Sequence, residues 1–313
     1  MLENRYEYKR RVVPEEPISW VDFINRHQGT KIIGTSPSGT TEFRAIDLPK
    51  EIISINSKYQ IFGETIQGLF SFLQTHNIPT PQDNLIDRLR VVNNDDYKVL
   101  NIVGRSDPRL GSLGVRLPNR LCIVNADAIS QEANKHKVNF EDLLRMIGTH
   151  EIVHTLTYQE SWVEIMNTPN GRFLVSEEKI FRRDGVYAGK PPIFTPLGSR
   201  PQLEQSQEAT ALGEMAEGTV QYITEGSLSP RQNESLRELS PYYEITESIK
   251  AIMSQIGEKP FIQATFTREG FRDLYKAIET RYGKGQFRTL LQIISNKSTQ
   301  PLQERLHAQG FIL

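Results

Sequence analysis

Apolar positions recur at helical spacing between Gly63 and His76, where Ile66, Leu69, Phe70 and Leu73 share one face before Pro79 and Pro81 end the pattern. Three short apolar runs follow, at 88–92, 99–103 and 121–124, separated by Asn/Asp and Gly/Pro clusters, and they predict a small sheet. A second helix is predicted to start after Asn139, a suitable N-cap. Asp142 falls in its first turn, and apolar residues continue at helical intervals through Leu156. Residues 158–207 read instead as a polar, proline-containing insertion, with a hairpin turn about Asp184-Gly185. Beyond it, amphipathic segments at 208–224, 242–256 and 268–295 predict helices. The first fifty residues mix short runs such as Lys31-Ile32-Ile33-Gly34 with turn formers such as Ser36-Pro37-Ser38-Gly39, a pattern of short strands and loops. The expected fold class is therefore α+β. An N-terminal segment (1–55) precedes a small mixed-sheet lobe with its helix and insertion (56–207), and a mainly helical lobe (208–313) follows.

Composition narrows this picture only a little. The 313 residues carry 37 basic and 38 acidic side chains, a formal charge of -1, so no global field draws the chain to nucleic acid or an anionic membrane. No apolar run reaches the length of a membrane span, and none of signal-peptide length follows the first charged residues. Cys122 is the single cysteine and lies in the apolar run Leu121-Cys122-Ile123-Val124. It is expected to be a small core residue of a protein kept in a reducing, cytoplasmic setting.

The chemistry is concentrated in His150-Glu151-Ile152-Val153-His154. Two histidines four residues apart on a helix stand one above the other, where both rings reach one Zn²⁺ at about 2.0–2.1 Å. Glu151 projects about 100° around the helix, too far to join the ligands easily but suited to accept a proton from a water activated by the metal. Leu143, Ile147, His150 and His154 follow i, i+4, i+7 and i+11, so the histidines extend a stripe expected to face the core. The bland reading of the pair is two buried histidines satisfied by hydrogen bonds. His27, His76, His136 and His307 show no comparable organisation.

A catalytic zinc needs a third protein ligand. Thr155-Leu156-Thr157-Tyr158-Gln159-Glu160 after the motif lacks the third histidine of the metzincin pattern, so a carboxylate from a later helix is expected. The segment 208–222 offers Glu208, Glu214 and Glu217. A helical wheel favours Glu208, which projects near the face of Leu212, Met215 and Thr219. Glu217-Gly218-Thr219-Val220-Gln221-Tyr222, by contrast, resembles the Glu-Gly-x-Ala-x-Tyr segment of the gluzincins, the thermolysin-like and aminopeptidase-like superfamily called peptidase MA. Together with the HExxH helix and the order of elements from about residue 60 onward, that resemblance implies a zincin-like fold, a Zn²⁺ cofactor, Glu217 as third ligand and hydrolysis of a peptide or protein substrate. Glu279-Thr280-Arg281-Tyr282-Gly283-Lys284-Gly285-Gln286-Phe287-Arg288 is similar to the superfamily's C-terminal helix pair.

The resemblance also implies an oxyanion donor, for which Tyr243 and its neighbour Tyr242 are candidates, although tyrosines at a helix start often only pack. It implies an edge strand that binds substrate backbone, with 111–115 and 120–124 as the two candidate segments. Arg182-Arg183 is a candidate selector of acidic substrates or ordinary loop surface, and Gly283-Lys284-Gly285 lacks the rest of a phosphate-binding pattern. The other functional class in view is a zincin-derived binding or scaffold module without hydrolytic activity.

Overall fold

The computed structural model describes residues 7–14, 17–28, 31–35, 41–45, 61–104, 112–157, 160–168, 171–175, 207–230, 234, 236–296 and 298–312. In chain order the elements are β1 (Glu7–Pro14), α1 (Trp20–His27), β2 (Lys31–Thr35), β3 (Thr41–Ala45), α2 (Ile61–Thr75), β4 (Leu89–Val92), α3 (Asn94–Gly104), β5 (Gly114–Arg116), β6 (Cys122–Asn125), α4 (Ala126–His136) and α5 (Phe140–Leu156). They continue as β7 (Glu160–Thr168), β8 (Gly171–Val175), α6 (Gln207–Ser227), α7 (Tyr243–Ile256), α8 (Lys259–Phe266), α9 (Arg268–Tyr282), α10 (Gln286–Ser295) and α11 (Leu302–Ala308). The class is α+β, mostly helical with small sheets. Among the described residues no helix is long and apolar enough to cross a membrane.

The described residues fall into two compact units, those within 16–156 and 223–240, and those within 1–15, 157–222 and 241–313. The first holds a three-stranded sheet in the order β4-β6-β5, with β4 parallel and β5 antiparallel to β6. The register and the alternation of side chains divide the sheet into two faces. Val92, Val115 and Ile123 point into a core closed by Trp20 and Phe23 of α1 and Tyr97 and Leu100 of α3. On the opposite face Leu89 and Gly114 meet α5.

The run 99–103, expected to be a strand, lies in helix α3. Asn93 explains the difference: its Oδ1 accepts from the Asp96 N–H at 2.8 Å and its carbonyl from the Tyr97 N–H at 2.9 Å, while Asp95 and Asp96 complement the positive helix start. Tyr97 and Leu100, three apart, then both point into the core. A short apolar run is ambiguous between strand and buried helix turn, and here the cap and the tertiary contact decide.

Helix α5 begins as its sequence indicates, with Asn139 Oδ1 accepting from the Asp142 N–H at 3.1 Å. Its enclosure goes further than one stripe. Leu143, Leu144, Met146, Gly148, Thr149, His150, Glu151, Ile152, Val153 and Thr155 are all buried, which is the pattern of a helix covered on several sides. Gly148 is required by this packing, because a Cβ there would lie 2.4 Å from the fully buried ring of Phe62 on α2 and 3.3 Å from Leu89 on β4.

The second unit contains an antiparallel sheet, β1-β7-β8, and the helices of the C-terminal part. Ile245, Ile249, Ile252 and Met253 of α7 pack with Phe261 of α8, Leu274 and Ile278 of α9, Phe287, Leu290 and Leu291 of α10, and Leu302 and Leu306 of α11. The segment 268–295 is two helices, not one. Gly283 and Gly285 at φ 107° and 89° turn the chain, and the Glu279 carboxylate accepts from the backbone N–H of Gly285 and of Phe287, capping α10 from the preceding helix. Helix α8 was not foreseen, and the expected hairpin about Asp184-Gly185 lies outside the described residues.

The two glycine environments give opposite expectations. At Gly148 an alanine gains about 1 kcal/mol of helix propensity but forces a rigid contact of the kind that costs about 1–3 kcal/mol, so Gly148→Ala lowers the thermal midpoint. Gly213, in α6, has nothing within 4 Å of a built Cβ, so Gly213→Ala raises it. Thermal denaturation of the two variants against the parent chain checks both signs.

Candidate metal centre

His150 and His154 lie one helical turn apart on α5, and their Nε2 atoms face each other at 3.0 Å, with the ring centroids 4.7 Å apart and the planes at 72°. His150 is 6% exposed and His154 half-buried. Two nitrogens bound tetrahedrally at about 2.0–2.1 Å to one ion stand about 3.3–3.4 Å apart, so the rings have to separate by only a few tenths of an ångström to hold zinc. The same separation suits a hydrogen bond from one Nε2–H to the other nitrogen. A carboxylate oxygen of Glu217 and one ring nitrogen of each histidine lie within 4.8 Å of one another. Two imidazoles and one carboxylate are the donor set of a catalytic zinc that keeps a position open.

Glu217 is carried by α6, and the residue after it explains how that helix is seated. A Cβ on Gly218 would meet Ile249 Cδ1 at 2.7 Å and Ile245 Cγ1 at 3.0 Å, so glycine lets α6 lie directly on α7. Thr246 Oγ1, which bonds the Tyr242 carbonyl at 2.7 Å, is also 3.3 Å from the Gly218 carbonyl. The wheel argument for Glu208 presumed one buried face on this helix. Instead Met215, Thr219, Val220, Gln221, Ile223, Thr224 and Glu225 are all buried, so the second half of α6 is covered on several sides and the wheel loses its force. Glu214 is half-buried one turn before Glu217; the side chain of Glu208 lies outside the described residues.

Glu151 is turned towards the sheet. It is 8% exposed, and its Cγ and Oε1 lie 2.7 and 2.9 Å from where a Cβ of Gly114 would stand. Gly114 opens β5, so absence of a side chain on this strand makes room for the carboxylate. The signal was present in the sequence as an isolated glycine between Leu113 and Val115, which marks a close backbone approach in a strand. Of the two segments considered for substrate pairing, 120–124 contains β6, the central strand with partners on both sides. It has no free edge to offer. β5 is at the edge of this sheet.

Cys122 is fully buried on β6. Burial, reinforced by the negative charge of Glu151, pushes its thiol well above the usual cysteine range, against the opposing pull of Arg88, Arg116 and Arg90. Tyr243 is the first residue of α7, half-buried, with Tyr242 immediately before it as N-cap. Arg182 and Arg183 lie outside the described residues. Compared with protein-family models, with curated proteins and with solved structures, the chain matches none.

The Cys122 environment has a simple consequence. The thiolate is the reactive form, and here it is disfavoured and enclosed. Native protein is expected to resist thiol alkylation at pH 8 and to react with one equivalent per chain once unfolded, as counted by intact mass.

Proposed function

We propose that the chain is a zincin-like zinc metallopeptidase in which His150, His154 and Glu217 hold the ion and Glu151 is the general base. The observation that carries this reading is the approach of the Glu217 carboxylate to the two HExxH imidazoles. Zinc held by these three groups supplies Lewis acidity to a carbonyl oxygen and makes water a nucleophile near neutral pH. Glu151, one residue from His150 but pointing to the sheet, accepts the proton of the attacking water and returns it to the departing amine. Its enclosure strengthens that exchange, because the surrounding protein screens charge less than water does.

The edge strand β5 is the segment that orients the substrate. As the edge strand of the described sheet, β5 takes an extended peptide as an added strand, and Gly114 leaves the Glu151 carboxylate next to that line. Tyr243 is the proposed donor to the oxygen that develops negative charge. A cytoplasmic setting, suited to a buried free thiol, belongs to the same proposal. The second reading is a zincin-like binding module without hydrolysis, and it is favoured by the 3.0 Å separation of the two Nε2 atoms, which a direct hydrogen bond satisfies without any ion.

Metal analysis and peptide cleavage separate the two. Protein purified without added metal is expected to carry one zinc per chain, and His150→Ala, His154→Ala and Glu217→Ala to lose it. Glu151→Gln is expected to keep the zinc while cleavage of a peptide library falls by about 10²–10⁴-fold. Zinc-free protein that stays metal-free on reconstitution supports the binding module. A second expectation concerns Gly114→Ala, whose Cβ displaces Glu151: zinc content is unchanged, and kcat falls.

A further inference from the structure

Arg88 precedes β4 and is 5% exposed, one of the few buried cations among the described residues. Its Nε and Nη2 donate to the two carboxylate oxygens of Asp83, each at 2.8 Å. Its Nη1 reaches the last turn of α5, donating to the Thr155 carbonyl at 3.3 Å and to Thr155 Oγ1 at 3.1 Å. Thr155 Oγ1 donates in turn to the Ile152 carbonyl at 2.7 Å. Arg88 is itself fixed through its backbone, since its carbonyl accepts from Trp20 Nε1 at 3.2 Å and lies 3.7 Å from the Cys122 sulfur.

Thr155 is the residue after His154. Carbonyls in the last turn of a helix lack intrahelical partners, and a cation there meets the negative end of the helix dipole. A guanidinium does this in a fixed plane, with one edge occupied by Asp83 and the remaining nitrogen aimed at the helix, a geometry that an ammonium does not reproduce. We propose that Arg88, braced by Asp83, is a positioning residue for the metal centre. It holds the final turn of α5 so that the His154 ring stays opposite His150. This rests on the metal-centre reading above and extends it to a residue that touches neither the ion nor its ligands' rings.

The test uses the full chain, zinc affinity measured by chelator competition, and the visible absorption of the Co²⁺-loaded protein. Arg88→Met is expected to weaken zinc binding by about 10–100-fold, the range seen when groups supporting metal ligands are removed, and to change the Co²⁺ bands. Arg88→Lys is expected to fall between Met and the parent. Asp83, with a side chain 51% exposed, offers a milder variant should Arg88→Met not fold: Asp83→Ala is expected to weaken zinc binding several-fold. A purely structural role would lower the thermal midpoint while leaving zinc affinity and the Co²⁺ spectrum at parent values, and that result overturns the proposal. If the parent chain itself takes up neither ion, or His150→Ala binds as tightly as the parent, the metal-centre reading is what has failed, and the role of Arg88 falls with it.

Discussion

The enclosure of α5 is the constraint on which the rest of its unit depends. A helix buried on several sides is expected to be apolar all round, yet this one carries two imidazoles and a carboxylate in five residues. Burying a polar group without a partner costs on the order of 1–3 kcal/mol, and an unpaired charge more. The neighbouring sequence is adapted to that helix at several points. Gly148 admits Phe62, Gly114 leaves space for Glu151, and Arg88 satisfies the carbonyl end at Thr155. Each of these residues is explained by α5, and α5 in turn fixes where the histidines stand.

The arrangement also sets the three side chains of the motif apart in space. The two Nε2 atoms face each other on one side of the helix, while Glu151 lies against the edge strand β5. On the proposed function this leaves Glu151 beside the ligands rather than among them, and available for proton transfer. Arg88, Arg116 and Arg90 oppose the effect of the Glu151 charge at Cys122.

Much of the fold was legible because its signals are local. Asn139 and Asp142 announce the start of α5, and the spacing of Ile66, Leu69 and Leu73 announces α2. The errors came where tertiary contact overrides pattern. The apolar run at 99–103 is helical because Asn93 caps it and Tyr97 and Leu100 find the core; 268–295 is broken because two positive-φ glycines and Glu279 rebuild a helix start. That His150 and His154 face each other one turn apart on α5 could be read from spacing alone. Choosing among Glu208, Glu214 and Glu217 could not, since a wheel assumes one buried face and α6 has several. Arg88 gave no sequence signal at all, because its partners Asp83 and Thr155 become neighbours only through the fold.

The central claim is that one ion is held by His150, His154 and Glu217. X-ray absorption at the zinc edge of the loaded protein tests it directly. The account requires two imidazoles with the remaining scatterers oxygen, at about 2.0–2.1 Å, and loss of one imidazole in His154→Ala. A sulfur scatterer at about 2.3 Å, or a spectrum unchanged by His154→Ala, would contradict it.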